Sequence, residues 1–146
     1  MTPAPDQDQL AANKVIVGKL LAAMNEGPEA AMAWVTDDFV WHMCPSTEQL
    51  FPGRPIDARG LEGMVVLCEQ GAELYDDLPP VSDLHAAVAE GDRVALHYTM
   101  RRRTKAGLPY ENDYCIIFRL SGGKVAEVWK IGDSLYGKRQ CDARPD

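Results

Sequence analysis

The run Tyr110-Glu-Asn-Asp-Tyr-Cys-Ile-Ile-Phe-Arg-Leu-Ser-Gly-Gly-Lys-Val-Ala-Glu-Val-Trp-Lys-Ile-Gly-Asp133 decides how this chain folds. Apolar stretches flank Ser121-Gly-Gly-Lys124, and that turn chemistry predicts two long strands joined as a hairpin. Side chains alternate across a strand. On Tyr110 to Leu120, Asn112, Tyr114, Ile116 and Phe118 therefore share one face, and Asp113, Cys115, Ile117 and Arg119 the other. On the last strand, Lys124 to about Leu135, one face holds Glu127, Trp129, Ile131 and Asp133. The other holds Val128, Lys130 and Gly132.

Working towards the N-terminus, Val81 to Ala89 and Arg93 to Arg103 read as strands around the tight turn Glu90-Gly-Asp92. On the second of these, Leu96, Tyr98, Met100 and Arg102 oppose His97, Thr99 and Arg101. Leu61, Met64, Val65, Cys68, Ala72 and Tyr75 recur at helical spacing. Residues 44–60 hold Pro45, Pro52, Gly53, Pro55 and Gly60, the chemistry of a long loop. Phe39 to Met43 is a short strand, preceded by a turn at Thr36-Asp-Asp38. A first helix runs from Asp6 to about Asn25 on Leu10, Val17, Leu21 and Met24. Gly27 ends it, and Pro28 opens a short second helix reaching Val35. The order ααβαββββ, with helices first and an antiparallel meander last, is an α+β architecture. Residues 1–5 read as a disordered tail, 6–136 as one domain, and 137–146 as a loose polar tail.

At 146 residues, 46% hydrophobic and 25% charged, the chain has the length and composition of one globular domain. The net charge of −7 argues against broad binding to nucleic acid or anionic membrane. There is no run of about 18 apolar residues to span a membrane. Met-Thr-Pro-Ala-Pro-Asp-Gln-Asp has neither the basic nor the apolar region of a signal peptide, so the cytosol is the expected location. Arg101-Arg-Arg-Thr-Lys105 reads either as a solvated strand end or as a clamp for an anionic substrate group. Cys44, Cys68, Cys115 and Cys141 form no CxxC pair and match no zinc spacing. Gly-rich phosphate loops and His-Glu-x-x-His are missing, so no cofactor and no metal are expected.

The hairpin, with its Trp and an acid near the end and three helices before it, resembles the nuclear transport factor 2-like superfamily. The likeness is to its SnoaL-like and ketosteroid-isomerase-related branch, over about residues 8–136. It implies a cone of three N-terminal helices packed on a strongly curved, mainly antiparallel sheet. The concave face would enclose one pocket, and the convex face would form a homodimer. Aligned with relatives, Tyr98, Met100, Ile116 and Ile131 fall at pocket positions, which turns their sets inward. Parity alone leaves the face open, and a β-bulge would reverse part of the assignment. The pocket so implied is lined by Leu20, Trp41, Met100, Ile116, Phe118, Trp129 and Ile131. Tyr98, Asn112, Tyr114, Asp133 and His42 supply its few polar groups, which suits an apolar small-molecule ligand.

Ketosteroid isomerases stabilise a dienolate with a Tyr and a protonated Asp while a second Asp moves the proton. By the resemblance those positions fall here at Leu20, at Ile116, and at His42 or Met43, which disfavours that reaction. Limonene epoxide hydrolases use an Arg-x-Asp and a later Asp. Tyr98, Met100 and Ile131 stand there, which disfavours it more strongly. SnoaL-type polyketide cyclases keep Glu-x-Trp-x-x-x-Asp, matched by Glu127-Val-Trp-Lys-Ile-Gly-Asp133. A carboxylate against apolar walls has a raised pKa and can move a proton beside a carbonyl. The leading expectation is a cofactor-free acid–base enzyme, of isomerase, cyclase or dehydratase type, acting on an apolar carbonyl compound. Asp133 would be its acid or base, with His42 and Tyr98 assisting. Against this stand a capping or rim role for Asp133, a non-catalytic small-molecule carrier, and a dimeric interaction module.

Overall fold

The structure, a computed structural model, describes residues 6–146, with Gln70 by its backbone alone. The tail expected over residues 1–5 lies outside the described residues. In chain order the elements are α1 (Gln7–Glu26), α2 (Pro28–Met32), β1 (Val35–His42), α3 (Ser46–Leu50), β2 (Asp57–Arg59) and α4 (Gly60–Leu74). Then follow β3 (Val81–Glu90), β4 (Arg93–Arg103), β5 (Pro109–Ser121), β6 (Lys124–Gly132) and α5 (Ser134–Asp142). The strands form one sheet in the order β2-β1-β6-β5-β4-β3. All its pairings are antiparallel except β1 with β6. Helices packed on this sheet give the α+β cone that the resemblance implies.

Local chemistry sets the helix ends. Asp6 caps α1 by accepting from the Gln9 amide at 2.7 Å, which satisfies one of the free N–H groups of the first turn. Gly27, at φ +134°, ends α1 in a conformation that side chains resist, and Pro28 then starts α2. Helix α1 buries Asn13, Val17, Leu20 and Ala23. Leu20, Phe39, Met64, Phe118 and Val128 lie wholly inside, each contributing about 1.5–3 kcal/mol by leaving water. Gly63 sets the approach of α4 to β2. A Cβ there would lie 2.7 Å from the Ala58 carbonyl carbon, so Gly63→Ala must push helix and strand apart.

Four sequence expectations need correction. Strand β1 begins at Val35, because Thr36, Asp37 and Asp38 continue it as an irregular edge where its register against β6 shifts. The 44–60 loop contains α3 and the short β2, paired to β1. The tail after Tyr136 is not loose, because α5 occupies it. Gly137 lets that helix lie against β5, where a Cβ would meet the Tyr110 hydroxyl at 2.9 Å. The fourth correction concerns β6. Leu120 pairs with Val125 but Arg119 with Glu127, leaving Ala126 as an extra residue. This bulge reverses the faces of the strand beyond it. Val128, Lys130 and Gly132 turn inward, opposite Phe118, Ile116 and Tyr114, while Glu127, Trp129 and Ile131 turn outward.

Candidate functional site

The concave face holds a pocket of two lobes. The larger, about 540 Å³, lies between α1 and strands β3–β5, lined by Gly18, Leu21, Trp41, Leu84, Tyr98 and Ile116 among others. The smaller, about 220 Å³, lies beneath α3 to α5, among Thr47, Phe51, Arg102, Asn112, Tyr114 and Asp133. Met43, Leu67, Met100 and Lys130 line both and mark where they meet. Small-molecule sites commonly span about 300–1,000 Å³, so the larger lobe alone suffices.

Strands β4 and β5 keep the expected faces. Tyr98 pairs with Tyr114, Met100 with Asn112 and Leu96 with Ile116, and antiparallel partners share a face. The Tyr98 and Tyr114 rings stack at 5.6 Å between centroids. Burial, then the neighbouring Tyr110, pushes the Tyr98 hydroxyl up to about 12, so it remains a proton donor at neutral pH. The same causes raise Tyr114, whose hydroxyl lies 2.7 Å from that of Tyr110. Asn112 is buried, and its amide donates to the Asp133 carbonyl at 2.9 Å and to the Tyr110 hydroxyl at 3.3 Å. Leu20 and Phe118 are core rather than lining. Phe118 meets Trp41 edge-on at 6.4 Å. The Trp41 indole N–H is buried with no protein partner among the described residues.

Three expected members lie outside the pocket: the bulge turns Trp129 and Ile131 outward, and on β1 the inward Trp41 leaves its neighbour His42 on the outer face. Ile131 is 52% exposed on the outer face. Trp129 stacks there on His42 at 5.6 Å and under the Arg93 guanidinium at 4.8 Å. His42 pairs in register with Trp129 and shares that face, whereas its neighbour Trp41 points inward. The two ring nitrogens of His42 lie 2.8 Å from Asp57 and 2.7 Å from Glu127. Two carboxylate acceptors suit the doubly protonated ring. Desolvation lowers the His42 pKa, but the bonds to Glu127 and Asp57 outweigh it and leave it raised. The ring is therefore an outer-face ion-pair centre and cannot assist chemistry in the cone.

Asp133 borders the small lobe, but its carboxylate accepts the Tyr136 amide at 2.9 Å and caps α5. The basic run divides by parity as well. Arg101 pairs with Asp83 and Glu111, and Arg103 with Asp76. Arg102 turns inward over the Tyr75 ring at 4.5 Å and donates to the Asp76 and Leu78 carbonyls. No cluster of three or more metal-ligating side chains occurs among the described residues.

Lys130 is the residue that sequence reasoning missed. It stands at the meeting of the lobes, with its ammonium 4.8 Å from the centre of the Tyr114 ring. Gly132 makes this possible, because a Cβ there would lie 2.7 Å from the Tyr114 ring. No carboxylate among the described residues pairs with Lys130. Desolvation lowers its pKa, opposed only by the nearby Cys44, whose thiol donates to the Lys130 carbonyl at 3.2 Å. The signal available in sequence was a lysine set between Trp129 and Ile131, on the strand face opposite to theirs.

Known proteins match this arrangement in fold. Residues 17–128 match the family model described as SnoaL-like domain. An NTF2-like protein from Burkholderia xenovorans LB400 is 22% identical, over 91% of this chain and 98% of its own, with a TM-score of 0.70. A putative SnoaL-like polyketide cyclase from Jannaschia sp. CCS1 is 16% identical, over 97% and 99%, at 0.77. TerC, co-crystallised with polyporic acid, is 16% identical, over 90% and 99%, at 0.76. No curated protein matches the chain.

Proposed function

The chain belongs to the SnoaL-like domain family, with the NTF2-like fold, and we propose that it is a cofactor-free acid–base enzyme for an apolar, carbonyl-bearing small molecule. The observation that carries this reading is Lys130, an amine without a carboxylate partner among the described residues where the two lobes meet. Desolvation favours the neutral amine, and a neutral amine can take the proton next to a carbonyl. The ammonium so formed and the Tyr98 hydroxyl would then face the enolate oxygen, in surroundings where charge is weakly screened. This role replaces that of Asp133, whose carboxylate is used by α5, and leaves His42 out. TerC, a protein of the same fold, is co-crystallised with polyporic acid, which accords with a small-molecule ligand.

The engaged carboxylate of Asp133 favours a second reading, a carrier that binds the same ligands without turnover. Both are separated by following α-deuterium uptake from D2O into a panel of apolar ketones and aldehydes. The enzyme reading expects uptake with the wild type and with Asp133→Asn, and none above background with Lys130→Met. Binding without uptake in the wild type leaves the carrier.

A further inference from the structure

We propose that Lys130 acts as a nucleophile, condensing with an aldehyde or ketone held across the two lobes to give a protonated imine on its side chain. The inference rests on the carbonyl reading above and specifies its intermediate. Three observations point to it. The side chain reaches the meeting place of the lobes, so a carbonyl carbon placed there has room for its two substituents on either side. The amine has no carboxylate to hold it as a fixed ion pair among the described residues. Its one charged-state contact is the Tyr114 ring face, 4.8 Å away, and an iminium keeps its positive charge against that face as an ammonium does.

The neutral amine nitrogen bonds to the carbonyl carbon as the C=O π bond opens, and a proton passes from that nitrogen to the oxygen, giving a carbinolamine. The C–O bond then breaks, the oxygen leaves as water with a second proton, and a C=N⁺ bond remains. No oxidant or reductant is needed. The small lobe, with Thr47, Asn112 and Ser134 in its walls, can receive that water. The paired Tyr110 and Tyr114 hydroxyls beside it can relay its proton. The iminium withdraws electrons from the adjacent carbon, so the α-proton passes to water in the cavity more readily than from the free carbonyl compound, and Lys130, now bonded to carbon, serves as electron sink in place of base.

The test is reductive trapping at about pH 7, where an ordinary lysine is almost wholly protonated. The protein is incubated with 2-naphthaldehyde, an apolar probe, and sodium cyanoborohydride, and peptides are mapped by mass. The expected result is a gain of one aldehyde less one oxygen at Lys130, in more than about tenfold excess over any other lysine. Lys130→Met should lose this adduct. Lys14→Met, which removes the other lysine lining the larger lobe, should keep it. Equal labelling of surface lysines, or unchanged labelling of Lys130→Met, overturns the proposal. Quenching of Trp41 by the probe, read in a protein carrying Trp34→Phe and Trp129→Phe, reports occupancy separately. Quenching and α-deuterium uptake without an adduct overturn the imine alone. Absence of all three removes the carbonyl reading with it.

Discussion

Replacing Lys130 by Met should stabilise the protein, by an amount that depends on pH. The side chain lines the cavity, and desolvation holds its pKa below the ordinary lysine value. For such a group the folded state is penalised at neutral pH, because the unfolded chain takes up a proton that the folded one holds weakly. Between the folded and unfolded pKa values the unfolded state binds more protons. Wild-type stability therefore rises with pH there, by up to about 1.4 kcal/mol per pH unit. Methionine has similar length and carries no charge. It therefore carries no such penalty, and the variant is expected to be the more stable at pH 7. All other titrating groups are common to the two proteins and cancel in the difference. Urea unfolding followed by circular dichroism, at intervals from about pH 7 to about pH 10, measures it. The variant's advantage should shrink steadily towards pH 10. A variant less stable at pH 7, or an advantage that does not change with pH, would refute the reasoning.

Four further outcomes follow from other parts of the fold. The folded pKa of His42 lies above its ordinary 6.5, so its contribution is complete below pH 6.5 and lost as pH rises through the folded value. Glu127 is held below its ordinary 4.5, chiefly by His42, so its contribution is present above pH 4.5 and lost on acidification. His42→Asn should thus cost most between these limits, about 0.5–1.5 kcal/mol for partly exposed partners, and less near pH 8 by urea titration. Gly18→Ala should raise stability by about 1 kcal/mol, because a Cβ at this helical site meets nothing within 4 Å. Gly18→Phe should fill the larger lobe and weaken naphthaldehyde binding while the melting temperature holds. We propose a homodimer through the outer sheet face, where Val81, Val88 and Ile131 are exposed. Ile131→Glu should convert a dimer to a monomer in light scattering, and a wild-type monomer would remove that proposal.

Strands β4 and β5 were legible because turn residues and strict alternation agree there. Glu90-Gly-Asp92 and Ser121-Gly-Gly-Lys124 locate the turns, and Tyr98, Met100, Asn112, Tyr114 and Ile116 fall on one face in sequence and structure alike. Strand β6 was not, because nothing marks Ala126 as an extra residue. Val125 and Ala126 are both apolar and both buried, so either register satisfies the pattern. One unpaired residue then exchanged the outward Trp129 and Ile131 for Lys130, while His42 faces outward because its neighbour Trp41 takes the inner face of β1. A lysine beside Trp and Ile reads as a solvated stem, and its desolvation depends on α1, α4 and β5, which no local pattern joins. Helix α5 was hidden by its polar composition and by Gly137, which reads as a breaker yet serves as the contact with Tyr110.

The ionisation of Lys130 decides whether this chemistry can run. Protein labelled with ¹³C-lysine, titrated by ¹H–¹³C correlation at the Cε position from about pH 5 to about pH 11, reads it directly, with the Lys130 signal assigned by its loss in Lys130→Met. The expected midpoint lies below the ordinary lysine value of about 10.4. A Lys130 signal that titrates at or above that value would contradict it.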